Sequence, residues 1–218
     1  AQPLMVEGTL PEWLNGTYLR NGPNRVNSDH VLMGDGMVHA VSFESGQPIH
    51  FRNRYVQTPR LGQENWLPPS LRDNPSNIGV LYHHDRLLSL GELGLPFELD
   101  KETLSTIGTY DFGGALETAM TGHPKVDART GELLFFGYSF ARPELTFYAV
   151  DQEGVVTQQT DIALRKPTLI HDFAVTENYA IFFDAPMFFD RAMALQGAHL
   201  PVRWMPESGA RIGLVGRS

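Results

Sequence analysis

The sequence predicts an all-β protein of repeated antiparallel hairpins, the kind that β-propellers stack around an axis, with only short helical insertions. Three observations point there. The acidic turn residues Asp100, Asp127, Asp151 and Glu177 recur at intervals of 27, 24 and 26 residues. Between them lie alternating apolar and polar runs, or short β-branched and aromatic ones, and helical periodicity of any length is scarce. If each interval holds one pair of strands, two intervals make a four-stranded unit of about 50 residues, close to one propeller blade.

Along the chain, residues 8–24 (GTLPEWLNGTYLRNGPN) read as a short strand between turns, with Trp13, Tyr18 and Leu19 expected in the core. Residues 34–58 hold two alternating runs around Glu44-Ser45-Gly46-Gln47, a hairpin signal. Residues 59–77, rich in Pro, Asn, Gln and Ser, are expected to form a long connection that covers one face. Further hairpins are expected over 77–92, turning at His84-Asp85-Arg86, and over 96–112, turning at Asp100 to Thr103. Gly113, Gly114 and ALETAM (115–120) break the rhythm, and a short helical turn is expected there. From His123 the order is strand, acidic turn, strand, through residues 145–159 and 171–183. FFDRAMALQGA (188–198) is the best helical segment, and the C-terminal RWMPESGARIGLVGRS reads as a further strand opening and then stopping. No linker divides residues 1–218, which read as one domain.

Composition narrows the function. With 42% hydrophobic residues the chain can bury a sizeable core. Its formal charge of -8 and pI near 5.4 argue against binding a phosphate backbone, so no nucleic-acid partner is expected. Zero cysteines exclude disulfides, thiolate metal sites and a cysteine nucleophile, and lean the location toward the cytoplasm. Any metal must therefore use histidine or oxygen ligands. No apolar run approaches the roughly 18 residues of a membrane-spanning helix, and the first thirty residues lack signal-peptide blocks. Because the chain starts at Ala1 rather than Met, organellar targeting stays open.

Eight histidines are present: His30, His39, His50, His83, His84, His123, His171 and His199. A lone histidine in a strand-rich chain is more often a hydrogen-bonded structural residue than a ligand. His123 and His171 stand apart because they lie 48 positions apart, about one blade, each just ahead of a turn into an apolar run. Equivalent strands of successive blades face one axis, so the two imidazoles should converge on a shared metal. His83 and His84 face opposite ways or sit in a turn, and His39 reads as structural. Two ligands make a poor metal centre on their own. Glu92, Glu117 and Glu177 are candidates to accept from a ligand imidazole, and spacing does not choose among them. No nucleophile elbow or phosphate loop appears, and Gly34-Asp35-Gly36 is a turn.

Four stretches, LPEWLNGTYLRNGPN (10–24), GDGMVHAV (34–41), HPKVDARTGELLFFGYS (123–139) and HDFAVTENYAIFFD (171–184), together resemble the N-terminal half of the carotenoid cleavage oxygenase family in order and spacing. The resemblance implies a seven-bladed β-propeller with Fe(II) on its axis, held by four histidines and no carboxylate. His123 and His171 match the first two of those ligands. Glu92, in GELGLPFELD, matches the first of the glutamates that accept from a ligand imidazole, and Glu177 then reverts to a turn residue. The other two histidines of the pattern fall after Ser218. Seven blades of about 40 residues need roughly 280, so the expectation is one incomplete propeller domain, the N-terminal portion of a longer enzyme.

The implied activity is dioxygenase cleavage of a C=C bond of a carotenoid or apocarotenoid to carbonyl products, with O₂ and an apolar polyene as partners and peripheral contact with a membrane that stores it. A stilbenoid-cleaving group of the family carries a lysine just before the equivalent glutamate, and here that neighbour is Gly91. Alternatives of other classes are an inactive fragment with an incomplete iron site and an unrelated propeller hydrolase using an oxygen-ligated cation.

Overall fold

A computed structural model describes residues 4–24, 26, 34–63, 70–198 and 200–217. Three antiparallel sheets, each built from consecutive strands, and part of a fourth follow one another along the chain. The first comprises β1 (Gly16–Asn24), β2 (Asp35–Glu44) and β3 (Gln47–Tyr55), and the second β4 (Gly79–His83), β5 (Arg86–Leu90), β6 (Phe97–Leu99) and β7 (Thr106–Thr109). The third holds β8 (Lys125–Val126), β9 (Leu133–Tyr138), β10 (Glu144–Val150) and β11 (Val156–Ala163). Next come β12 (Phe173–Val175), β13 (Tyr179–Asp184), β14 (Met187–Phe189), the helix α1 (Arg191–Leu195), β15 (Val202–Trp204) and β16 (Arg211–Gly216). The fourth sheet is ordered β12-β13-β16, with β14 and β15 forming a separate ribbon. Among the described residues no helix is long and apolar enough to cross a membrane.

The two-residue hairpin turns work because both central residues take positive φ: Ser45 and Gly46 at 48° and 72°, His84 and Asp85 at 44° and 59°. The acidic turns use a second device. Asp100, Asp127 and Asp151 each accept backbone N–H groups two to four residues on, which closes the reversal locally.

The core sits in the interfaces between sheets, and β9 shows why. All six of its residues are buried, and the period of two sends them to opposite faces. Leu133 and Phe135 join Leu88, Leu90, Met120 and Tyr148 against the second sheet. Leu134, Phe136 and Tyr138 join Phe147, Phe173 and Phe182 against the fourth. Sheets packed face to face with strands repeating in order are the blades of a β-propeller.

Close packing leaves some strand positions, Gly137 among them, with no room for a side chain. A Cβ on Gly137 would lie 1.8 Å from the Ala119 carbonyl oxygen and 2.2 Å from Thr118 Oγ1. Gly137→Ala is expected to cost about 3 kcal/mol or more by forcing backbone apart, read as a lower urea midpoint. Gly108→Ala, with nothing within 4 Å of its Cβ, should stay within about 0.5 kcal/mol.

Several expectations need correcting. Trp13 and Tyr18 are not core: they are 78% and 62% exposed, the first before an edge strand and the second on it, and of the three only Leu19 packs against a core cluster. The helical turn expected over Gly113, Gly114 and ALETAM is confined to its start, a 3₁₀ turn over Phe112–Gly114 capped by the Asp111 side chain, and ALETAM itself is not helical. The second 96–112 strand starts only at Thr106, because the turn runs from Asp100 to Ser105. The C-terminal strand β16 opens no new unit; it returns to pair with β13 along its whole length. Part of the 59–77 connection lies outside the described residues.

Candidate metal centre

His123 and His171 each stand two residues ahead of the first strand of their sheets, β8 and β12. The equivalent placement brings the rings together, with centroids 4.4 Å apart at an interplanar angle of 73°. Their Nε2 atoms are 2.9 Å apart. Thr121, fully buried, helps to set this: its hydroxyl accepts from the His123 backbone N–H at 3.2 Å and donates to the His171 carbonyl at 3.4 Å. Its own N–H bonds the Phe136 carbonyl of β9.

The other side of the His171 ring faces Glu92, on the bend between β5 and β6. His171 Nδ1 donates to Glu92 Oε2 at 2.9 Å, and the buried Tyr138 hydroxyl donates to Glu92 Oε1 at 2.9 Å. The His171 side chain is 60% exposed and that of Glu92 19%, so the pair opens on one side while its anchor is covered. The hydrogen bond to Glu92 raises the pKa of His171 above the ordinary imidazole value. Burial, reinforced by His171 alongside, lowers that of His123. Burial, with Glu92 beside it, holds the Tyr138 hydroxyl well above its usual range, so it stays a donor. Asp172 lies next to the pair and is taken up by Lys125 at 2.8 Å.

With Nδ1 of His171 committed to a carboxylate, its Nε2 offers a lone pair toward His123. Without a cation one proton must lie between the two Nε2 atoms, since two lone pairs at 2.9 Å repel. A divalent ion can take that proton's place. Imidazole nitrogens bound at about 2.0–2.1 Å and at right angles around one ion lie about 3 Å apart, close to the separation found. Among the described residues no group of three or more His, Asp or Glu side chains surrounds this point, and the two imidazoles are the donors they bring to it.

The remaining candidates go elsewhere. His83 Nε2 and His84 Nδ1 contact the backbone oxygens of Gly131 and Gln152, turns of the third sheet, so neither faces the axis. His39 lies on β2, 6.1 Å from the Phe51 ring, and His50 lies on β3. His30 and His199 lie outside the described residues. Glu117 is exposed, and Glu177 pairs with Arg129 at 2.9 Å, so of the three glutamates only Glu92 meets an imidazole. Gly91 has a physical reason: a Cβ there would come within 2.3 Å of Asn74 Oδ1, and Asn74 is fully buried and bonded to Leu95 O and Ser76 N–H. Thr121 and Tyr138 were not singled out from sequence, where they read as ordinary strand and turn residues.

Blades whose first strands each present a histidine to one axial point define a β-propeller with an imidazole pair at its centre. The model of the family described as retinal pigment epithelial membrane protein matches residues 1–218. The chain belongs to this family, that of the carotenoid cleavage oxygenases. It is 33% identical to carotenoid 9,10(9',10')-cleavage dioxygenase 1 of Arabidopsis thaliana, over 98% of this chain and 47% of the relative. It is 38% identical to isoeugenol monooxygenase of Pseudomonas putida, over 98% and 50%. Superposed on the crystal structure of lignostilbene dioxygenase from Pseudomonas brassicacearum, it gives a TM-score of 0.87 at 30% identity, over 97% of this chain and 49% of that one. The chain spans about half the length of the curated relatives it matches.

Proposed function

We propose that this chain is the N-terminal portion of an Fe(II)-dependent dioxygenase that cleaves a C=C bond of a carotenoid or apocarotenoid to two carbonyl products. The observation that carries it is the 2.9 Å approach of two Nε2 atoms, one belonging to a ring whose Nδ1 is held by a glutamate. His123 and His171 are two of the ligands, and further histidines of the longer protein complete the set. Bound Fe(II) supplies the chemistry that activates O₂ toward a conjugated alkene.

The residues of this chain have narrower tasks. Both imidazoles present Nε2 as neutral donors, which leaves the centre at the charge of its ion. Glu92 accepts the Nδ1 proton of His171, holding the tautomer that keeps Nε2 free and turning the ring toward the axis. Beside this anchor the half-buried rings of Phe140 and Phe189 stack at 4.8 Å, with Tyr138 edge-on to Phe140 at 5.9 Å. That apolar wall suits a hydrocarbon substrate better than a polar one. Gly91, with no space for a longer side chain, removes the lysine that would engage a phenol, which favours a polyene over a stilbenoid. Such a substrate resides in membranes, so peripheral membrane contact belongs to the same reading.

A second reading, cleavage of a phenylpropenoid or stilbenoid, is favoured by the likeness to the isoeugenol and lignostilbene enzymes. The test is to offer the Fe(II)-loaded full-length protein an apocarotenoid and a 4-hydroxystilbene under ¹⁸O₂. Two carbonyl products from the apocarotenoid, each carrying label, are expected. Turnover of the stilbene alone assigns the second reading, and a loaded protein that cleaves neither overturns both.

A further inference from the structure

Glu92 sits on a bend, not on a strand, so no ladder of backbone bonds aims its side chain. What aims it is two side-chain donors, one on each carboxylate oxygen: His171 Nδ1 on Oε2 and the Tyr138 hydroxyl on Oε1, both at 2.9 Å. The donors differ in rigidity. His171 belongs to a loop and its ring is largely open to solvent. Tyr138 is 3% exposed, ends a strand buried along its whole length, and is flanked by the rings of Phe136 at 6.0 Å and Phe140 at 5.9 Å. A carboxylate gripped at one oxygen still swings about that bond. Gripped at both, it has one plane, and a ring hydrogen-bonded to it inherits that plane.

We propose that Tyr138 is the positioning residue of the centre: through Glu92 it orients His171, so that the third sheet aims a ligand carried by the fourth. The proposal rests on the reading of His123 and His171 as metal ligands. The plain alternative is that Glu92 merely satisfies a buried tyrosine hydroxyl, as any acceptor would. The two differ in whether loss of the hydroxyl reaches the metal, and in whether it does so by way of Glu92.

Tyr138→Phe removes one oxygen atom and keeps the packing. Tyr148→Phe is the matched control, an equally buried tyrosine on the opposite face of the third sheet whose hydroxyl lies 3.2 Å from Thr118 Oγ1. Each variant is made in the full-length protein, titrated with Co(II) and followed by the imidazole proton resonances, which also report the His171 Nδ1–H before metal is added. Tyr138→Phe is expected to weaken Co(II) about 10-fold, the scale of losing an outer partner of a metal ligand, and to broaden the Nδ1–H resonance. Tyr148→Phe should do neither. In a Glu92→Gln background Tyr138→Phe should add no further loss, because the route between hydroxyl and ring is already broken.

Unchanged Co(II) affinity and an unchanged Nδ1–H signal in Tyr138→Phe would overturn the positioning role. Equal losses with and without Glu92 would overturn it too, since the effect would then be general to the fold. Co(II) binding by the full-length protein that survives in the His123→Ala/His171→Ala double variant would instead sink the two-histidine centre itself.

Discussion

Under the proposed function, His171→Ala is expected to abolish divalent-metal binding in the full-length protein, and C=C cleavage with it. The loss should exceed the roughly 10–100-fold penalty for removing an outer partner of a metal ligand, because a donor itself disappears. Two further groups lose by the change. Glu92 Oε2 no longer receives the Nδ1 proton, and His123 Nε2 faces solvent in place of a second nitrogen at 2.9 Å. The largely covered carboxylate oxygen left without a donor should cost about 1–3 kcal/mol of stability, so the variant should also melt earlier. His84→Ala is the comparison. That ring contacts the Gln152 carbonyl at an exposed turn, and its removal should leave metal binding intact. Isothermal titration with Co(II) decides the matter, and retention of wild-type affinity by His171→Ala would remove the metal centre from this molecule.

Phe136→Ala should be among the changes most damaging to stability, about 3–5 kcal/mol from a fully buried ring. Phe136 fills the seam between the third and fourth sheets, with ring centroids 5.3 Å from Phe173 and 5.5 Å from Phe182. Phe173 is two residues past His171, and Phe136 is two residues before Tyr138. The cavity therefore opens in the interface across which the imidazoles meet, and metal affinity should fall together with stability. Phe135→Ala separates these effects. Its ring, also fully buried, stacks on Tyr148 at 5.0 Å on the opposite face of β9, so it should match the loss of stability while sparing more of the metal affinity. Urea unfolding and Co(II) titration of the two variants, side by side, provide the check. Equal losses of affinity in both would mean that the seam does not set the centre.

What is legible in the amino-acid sequence is whatever repeats or turns. Ser45-Gly46 and His84-Asp85 declare their hairpins because few residues tolerate the positive φ of a two-residue turn. The acidic turns declare the spacing, and the spacing pairs His123 with His171. Glu92 stands among three candidate glutamates until the family resemblance chooses it, since its meeting with His171 spans 79 residues and two sheets. Tyr138 was hidden for a different reason. In LLFFGY it alternates as any core aromatic does, and nothing local shows that its hydroxyl end reaches a carboxylate from another blade. Trp13 and Tyr18 were misplaced because alternation gives a period but not which face is covered. The return of β16 to β13 was missed because the excursion over residues 185–210 carries its own ribbon and helix, which masks a long-range pairing.

The centre draws on three consecutive sheets: Glu92 from the second, His123 and Tyr138 from the third, His171 from the fourth. Its bite is therefore an angle before it is a distance, since tilting one blade against the next widens or narrows the gap between the nitrogens. For an ion held between them, radius would be discriminated by the aromatic wedges that hold the blades apart, and exchange of one cation for another would be reachable through residues that never touch it.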